Sequence, residues 1–262
     1  MAEEVSGENP WDKAGRYAVQ LDPPAFFEWT LKLPRDGGYF RNWEDTRNVA
    51  LPGGEDRFGD LVARLTHFGR GGQPWAVVTE IQSEPDGEIL GRVNEYGASF
   101  WRRKKPDEER GSRFRVASLV VNLTGRGAQW DREEWQEAGL MALAPPKIIN
   151  VVDESADEML EKIESGSLGL ALLVWIPLTM GGQELNVVEK WKELAGRESH
   201  SSKRGDYGFL AKVFAEKAQC VEVWNENLEG WNVEESIVLK ELTQKVQEKA
   251  RQEGRQEGRQ EG

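Results

Sequence analysis

The clearest β-strand in the sequence reads WAVVTEIQ and spans residues 75–82. It is rich in β-branched and aromatic residues, it is apolar until its last third, and turn-forming residues bound it on both sides. Alternate residues of a strand face the same side of a sheet, so we expect Glu80 and Gln82 to project together while Ile81 points into the core. The pattern therefore predicts a buried strand that ends in a polar pair.

The segments around this strand alternate between helical and extended patterns. Asp22 is expected to cap a mostly apolar helix that starts at Pro23, because Asp is favoured at the N-cap and Pro in the first turn. Further elements are expected as strands at 48–51, 60–65 and 114–123, and as a helix at 86–105. The order along the chain is then helix, strand, strand, strand, helix, strand, which predicts an α/β fold.

The second half of the chain is expected to be mostly helical. We predict a strand at 147–152, helices at 156–163, 184–194 and 207–218, a buried strand or helix at 168–176, and a long helix after Asn232. Three copies of RQEG end the chain, and a Gly at every fourth position lowers helix propensity by about 1 kcal/mol each. We expect a frayed helix or disorder there, or alternatively a coiled-coil or partner-binding extension.

Four regions follow from these patterns. They are a flexible tail at 1–20, a core at 21–126, an extension packed on the core at 127–230, and a terminal helix with the repeats at 231–262.

Composition narrows the class of protein. The chain has 262 residues, a net charge of −12 and one cysteine, so an internal disulfide or a cysteine zinc cluster is excluded. No run approaches the roughly 18 uncharged apolar residues of a membrane span, and the acidic N-terminus does not resemble a secretory signal. We expect a cytoplasmic protein without a membrane partner. The acidic charge argues against a general nucleic-acid coat protein, but a metal-dependent nuclease needs carboxylates of its own.

The hypothesis of a metal site rests on a pair of carboxylates. Asp60 opens the strand that precedes 75–82, and if these strands pair as a hairpin, Asp60 comes close to Glu80. Two carboxylates at short range repel each other unless a cation neutralises them, and their oxygens suit Mg²⁺ or Mn²⁺. The alternative is that Glu80 and Gln82 are simply a solvated strand end. No histidine cluster competes with this site, since His67 and His200 lie far apart in the sequence.

The wider sequence resembles the PD-(D/E)XK nuclease family transposase group, the Rpn/YhgA-like recombination-promoting nucleases, and especially their planctomycete-type relatives. The segments that carry the resemblance are FFEW at 26–29, EDRFGDLVARL at 55–65, WAVVTEIQSEPDGEILGRVNEY at 75–96, VVNLTGRG at 120–127, WIPLTMGG at 175–182, NLEGWNVEES at 227–236, and the RQEG repeats. It implies a restriction-endonuclease-like core with αβββαβ order, in which helices flank a central mixed sheet.

The resemblance also implies roles for individual residues. Asp60 matches the first acidic residue of the family motif and Glu80 the second, while Gln82 occupies the position of the motif lysine. Glu28 sits where these nucleases often place a helix carboxylate, and the backbone carbonyl of Ile81 is an implied metal ligand. Gln differs from Lys because it carries no charge and can only exchange hydrogen bonds.

Contacts to DNA are expected on the helix that follows. Arg92 and Tyr96 match an R-x-x-x-Y pattern, and the run Arg102, Arg103, Lys104 and Lys105 is the best candidate for phosphate contact. Each has an alternative: Arg92 pairs with Glu88 or Glu95, Tyr96 belongs to the core, and the basic run is a solvated helix end.

The sequence therefore predicts a divalent-metal-dependent DNA endonuclease, linked to recombination or mobile elements, with Mg²⁺ or Mn²⁺ as cofactor. The alternative is a catalytically weak or silent nuclease-fold protein that binds DNA or a protein partner. A third hypothesis is a homo-oligomer formed through the C-terminal helix.

Overall fold

The chain folds around a five-stranded mixed β-sheet with helices on both faces. The structure is a computed structural model, and it describes residues 9–45, 61–66, 74–107, 111–127 and 145–240 together with Thr243. Within these ranges the α/β class predicted from the sequence is confirmed.

The strands follow one another across the sheet in chain order. They are β1 (Phe40–Trp43), β2 (Leu61–Leu65), β3 (Trp75–Gln82), β4 (Arg115–Asn122) and β5 (Lys147–Asn150). The first three strands form antiparallel neighbours, whereas β3, β4 and β5 run parallel. Helix α3 (Ile89–Arg103) makes the crossover that a parallel β3–β4 pair requires.

The remaining helices come from both ends of the chain. They are α1 (Pro10–Leu21), α2 (Pro23–Leu31), α4 (Ala156–Glu164), α5 (Leu185–Ala195), α6 (Ser201–Lys217) and α7 (Val221–Asn227), with 3-10 segments at Val151–Asp153 and Leu170–Leu178. The predicted cap of α2 is confirmed, because the Asp22 side chain accepts a hydrogen bond from the Ala25 amide. None of the helices in the described ranges combines the length and apolar character that a bilayer crossing requires.

The two faces of the sheet carry different cores. On the first face, inward residues such as Leu65, Val77 and Ile81 join one large cluster with aromatic side chains from both halves of the chain, including Phe26 and Trp175. The second half of the chain therefore packs directly on the sheet of the first half.

The other face is covered by α3. Its core consists of two smaller clusters, one around Val78 and Phe100 and the other around Val93 and Val120. This second face carries the candidate site.

Three expectations differ from the structure. The expected flexible tail is wrong for Pro10–Leu21, which is the helix α1 and buries Ala14, Gly15, Ala18 and Val19. The strand β1 lies at Phe40–Trp43, where we expected none, while the strand expected at 48–51 lies outside the described residues. The strand expected at 147–152 ends at Asn150. The apolar run at 168–176, left open as strand or helix, lies largely in the 3-10 helix Leu170–Leu178. The RQEG repeats lie outside the described residues.

Candidate functional site

A row of polar side chains ends the three parallel strands on the α3 side of the sheet. The strand register aligns Gln82 with Asn122 and Asn122 with Asn150. Val120 and Ile148, each two residues earlier in its strand, pack with α3 residues, and the strand period puts Asn122 and Asn150 on that same face. With Glu80, which is two residues before Gln82, these residues form a set that we name the polar edge: Glu80, Gln82, Asn122 and Asn150.

Glu80 is neutralised by an arginine from α3. The Arg92 Nε lies 3.2 Å from Glu80 Oε1, and the Arg92 Nη1 lies 3.0 Å from Asp86 Oδ2. The Glu80 side chain is 16 % exposed, so this ion pair is partly shielded from water. Arg92 therefore places one positive charge between two carboxylates at the polar edge.

Two amide oxygens at the polar edge are buried without a hydrogen bond. Gln82 is 6 % exposed and Asn122 is 1 % exposed. Within the described residues, Gln82 Oε1 and Asn122 Oδ1 accept no hydrogen bond. Burying an amide oxygen in this way costs about 1–3 kcal/mol, so each such atom in a native protein calls for an explanation.

The orientation of the Asn122 amide is set by a chain of hydrogen bonds. Asn122 Nδ2 donates to Asn150 Oδ1 at 2.9 Å, and that oxygen also accepts from the Gly127 amide at 3.0 Å. Asn150 Nδ2 in turn donates to Asp153 Oδ2 at 3.0 Å. A hydrogen bond from the Arg126 guanidinium, and a second one from Asn150, hold the pKa of Asp153 below its usual value. An ionised carboxylate can only accept hydrogen bonds, so Asn150 presents its Nδ2 to Asp153. The Oδ1 of Asn150 then faces Asn122, which presents its own Nδ2.

Asp60 lies outside the described residues. The strand register next to it is defined, because its sequence neighbour Leu61 pairs with Thr79, the residue before Glu80. The side chains of β2 alternate between the two faces of the sheet, with Leu61 in the large core and Val62 in the α3 cluster.

Glu28 is not brought to the polar edge. Helix α2 packs with Phe26 and Phe27 against the face of the sheet opposite α3, whereas Glu80 points toward α3. The buried carboxylate of Glu28 accepts a hydrogen bond from the Asp36 amide at 2.8 Å, and burial raises its pKa. The expected role of Glu28 as a metal ligand beside Glu80 is therefore corrected.

Ile81 occupies the position between the two polar residues of β3. Its side chain packs on α1, where a β-carbon on Gly15 would lie against Ile81 Cγ2. The Gln82 carbonyl accepts from the Leu123 amide on the β4 side. Because successive peptide groups of a strand alternate in direction, the Ile81 carbonyl is directed to the β2 side.

The expected DNA contacts separate into three environments. Arg92 pairs with Glu80 and Asp86 instead of Glu88 or Glu95. Tyr96 is 2 % exposed and belongs to the core under α3, so the expected direct contact of Tyr96 with DNA is corrected.

The basic run occupies the far end of α3 from Arg92. Arg102, Arg103 and Lys105 are exposed and Lys104 is half-buried. At 1.5 Å per helical residue, Arg103 lies about 16 Å along the axis from Arg92. Beside this run, the Arg113 guanidinium stacks over the ring of the exposed Trp101.

Sequence reasoning missed Asp86, Asn122 and Asn150. A signal for the two asparagines was present, since RVASLVVN and KIIN are both apolar strands that end in Asn, just as WAVVTEIQ ends in Gln. Comparison with known proteins adds no further guide: no family model, no curated protein and no solved structure matches the chain. The family assignment stays a prediction.

Within the described residues, no three His, Cys, Asp or Glu side chains form a group that holds a metal ion. A cation at the polar edge would therefore use the Glu80 carboxylate together with amide oxygens. Asp60, the second carboxylate expected from the sequence, lies outside those ranges. Carboxylate and amide oxygens are the hard ligands that suit Mg²⁺ and Mn²⁺, so the donor set fits such an ion.

Proposed function

We propose that the chain is a divalent-metal-dependent DNA endonuclease that hydrolyses phosphodiester bonds with Mg²⁺ or Mn²⁺. The observation that carries the proposal is the polar end of β3, where Glu80 and Gln82 share the α3 face beside buried amide oxygens. Support comes from the register of β2 and β3, because the residue before Leu61 is Asp60 and the residue after Thr79 is Glu80. The order helix, three strands, helix, strand agrees with a PD-(D/E)XK core.

In this proposal the protein residues bind and orient. Glu80 and Asp60 hold the cation, the Ile81 carbonyl adds a ligand on the β2 side, and Gln82 hydrogen-bonds at the reacting centre. The chemistry that such a cation supplies is Lewis-acid polarisation of the phosphate and activation of water. Gln82 carries no charge, so it orients groups without stabilising the negative charge of the transition state as a lysine would.

Arg92 has a second role in the proposed reaction. The Arg92 guanidinium neutralises Glu80 and Asp86. With a divalent cation held at Glu80, the guanidinium would be available for a phosphate of the substrate, which it matches in shape and charge. The basic run of α3 then contacts the same DNA about 16 Å away along the helix. Because these are contacts of Arg and Lys with phosphates, binding is expected to weaken with salt.

Plasmid relaxation tests the proposal. The full chain is incubated with supercoiled plasmid and Mg²⁺ or Mn²⁺, and nicked or linear product is expected. Glu80→Gln and Asp60→Asn should each abolish it, whereas Glu95→Gln, on the exposed side of α3, should leave it unchanged. Cutting that survives both site substitutions would assign the activity to another site or to a contaminant.

A second candidate is a catalytically silent nuclease-fold protein that binds DNA or a protein partner. It is favoured by the Glu80–Arg92 ion pair, which already neutralises the carboxylate without a metal. Isothermal calorimetry with Mg²⁺ separates the two candidates. Absence of both metal binding and cleavage, together with retained affinity for DNA, would support the silent protein.

A further inference from the structure

Asn122 is a buried amide whose two ends face different surroundings. Its nitrogen points toward β5, where it donates to Asn150. Its oxygen is bonded to the same carbon atom at a wide angle to the nitrogen, so it is directed away from Asn150, and Gln82 is the neighbour of Asn122 on the other side. With Asn122 only 1 % exposed, this oxygen is not satisfied by bulk water.

The orientation cannot be reversed without losing hydrogen bonds. A flipped Asn122 would turn its oxygen toward Asn150 Oδ1, an atom that also accepts from the Gly127 amide. A flipped Asn150 would turn its oxygen toward the Asp153 carboxylate, which it contacts through Nδ2. Each reversal sets two acceptors against each other, so Asp153 and Gly127 together hold the Asn122 oxygen in place.

Gly127 is part of this arrangement. A β-carbon at position 127 would lie 2.6 Å from Asn122 Nδ2, so a side chain there would displace the amide. The backbone of residue 127 thus approaches closely enough to supply the second hydrogen bond to Asn150 Oδ1. The loop after β4 and the turn after β5 cooperate to fix one side chain.

Apart from the Arg92 guanidinium, which pairs with Glu80, the groups next to Asn122 on this face of β3 are acceptors. Glu80 contributes a carboxylate, and Gln82 and Asn122 contribute amide oxygens that accept no hydrogen bond within the described residues. Diagonal neighbours in a sheet, such as Glu80 and Asn122, have α-carbons about 7–8 Å apart. Their side chains can therefore meet at a shared ion with ligand distances of about 2.0–2.6 Å. A single cation held by Glu80 would offer these amide oxygens the partner that they lack.

We propose that Asn122 is a further oxygen ligand of the divalent-cation site at Glu80, and that Asn150 and Asp153 are positioning residues that hold its oxygen toward the ion. This inference rests on the proposed function, because it assumes that a cation binds at Glu80. It adds a ligand from β4 to a site that the sequence assigned only to α2, β2 and β3.

Binding of Mn²⁺ alone to the full chain tests the inference. The dissociation constant is measured by the loss of the free Mn²⁺ signal in electron paramagnetic resonance. Asn122→Ala should weaken Mn²⁺ binding about 10–100-fold, and Asp153→Asn should weaken it to a similar degree because Asn122 is no longer oriented. Asn227→Ala, which removes a half-buried amide of α7 that donates to the Val223 carbonyl, should not change binding.

A second substitution separates ligation from folding. Asn122→Asp keeps a ligating oxygen and adds charge but sets its second oxygen against Asn150 Oδ1, so it should bind Mn²⁺ more tightly than Asn122→Ala. If Asn122→Ala and Asn122→Asp are equally weak, or if Asn122→Ala binds normally, Asn122 is not a ligand. Normal binding by Asp153→Asn would overturn its positioning role.

The same titration distinguishes this inference from the proposed function. Glu80→Gln should abolish Mn²⁺ binding if the proposed function holds. If Glu80→Gln binds as the natural protein does, the metal site itself is absent. If Glu80→Gln abolishes Mn²⁺ binding but the Asn122 variants bind normally, the proposed function stands and Asn122 is not a ligand.

Discussion

Replacing Gly15 with alanine tests whether helix α1 packs on the back of the strand that carries the candidate site. A β-carbon at Gly15 would lie 2.4 Å from Ile81 Cγ2, well inside van der Waals contact. Forcing an extra methyl group into a packed core costs about 1–3 kcal/mol. Alanine also favours the helix by about 1 kcal/mol relative to glycine. The free energy of unfolding should therefore fall by up to about 2 kcal/mol, depending on how far Ile81 yields.

Gly91→Ala is the matched control for this change. Gly91 lies in α3 and is exposed, and a β-carbon there would meet no atom within 4 Å. This variant should gain the full helix propensity of about 1 kcal/mol. The difference in unfolding free energy between the two variants then isolates the steric term, about 1–3 kcal/mol.

Urea unfolding followed by tryptophan fluorescence gives both free energies. A double-mutant cycle with Ile81→Leu, which moves the branch away from Cβ, should recover much of the loss in Gly15→Ala. Equal stabilisation by Gly15→Ala and Gly91→Ala would mean that α1 does not contact Ile81. Such a result would also refute the packing of α1 on the back of β3, behind Glu80 and Gln82.

Two further predictions concern buried carboxylates. Burial raises the pKa of Glu28 above its ordinary 4.5, so the ionised group is disfavoured in the fold above that pH. At pH 7, Glu28→Gln should unfold at the same urea concentration as the natural protein or at a higher one, and any gain should vanish below pH 4.5. A lower urea midpoint at pH 7 would contradict this reasoning. Asp206 Oδ1 accepts from the Ser236 hydroxyl and the Val238 amide, so Asp206→Ala should lose about 1–3 kcal/mol in urea unfolding. Asp206→Asn should lose less, and equal stability of both variants with the natural protein would refute the contact.

A strand could be predicted from the sequence where its residues form a continuous apolar run. Both ends of β3 were predicted because a continuous apolar run meets Pro74 on one side and a polar pair on the other. Helix α1 was missed because its buried face consists of Ala14, Gly15, Ala18 and Val19, small residues that add little to hydropathy. These small residues let α1 approach Ile81 closely. That contact can be recognised only once the partner strand is known.

The candidate site divides in the same way. The shared face of Glu80 and Gln82 follows from the period of a single strand, so the sequence was sufficient for it. The alignment of Gln82 with Asn122 and Asn150 depends on the register between strands that are about 40 and 28 residues apart in the chain. A crossover helix and a long connection set that register, and no local pattern reports it. The misplacement of Glu28 has the same origin, because the side of the sheet on which α2 packs is a tertiary property.

The buried amides, more than Glu80, discriminate between the proposed nuclease and a silent relative. The Arg92 guanidinium satisfies the carboxylate of Glu80 without any metal, so that carboxylate alone is compatible with both. Arg92 does not satisfy Gln82 Oε1 or Asn122 Oδ1, which accept no hydrogen bond within the described residues. An amide oxygen buried without a hydrogen bond costs about 1–3 kcal/mol in either protein. A protein that binds a cation recovers that free energy through ligation. The hydrogen-bond chain from Asp153 to Asn122, which keeps the costly oxygen in place, therefore favours the metal-binding protein.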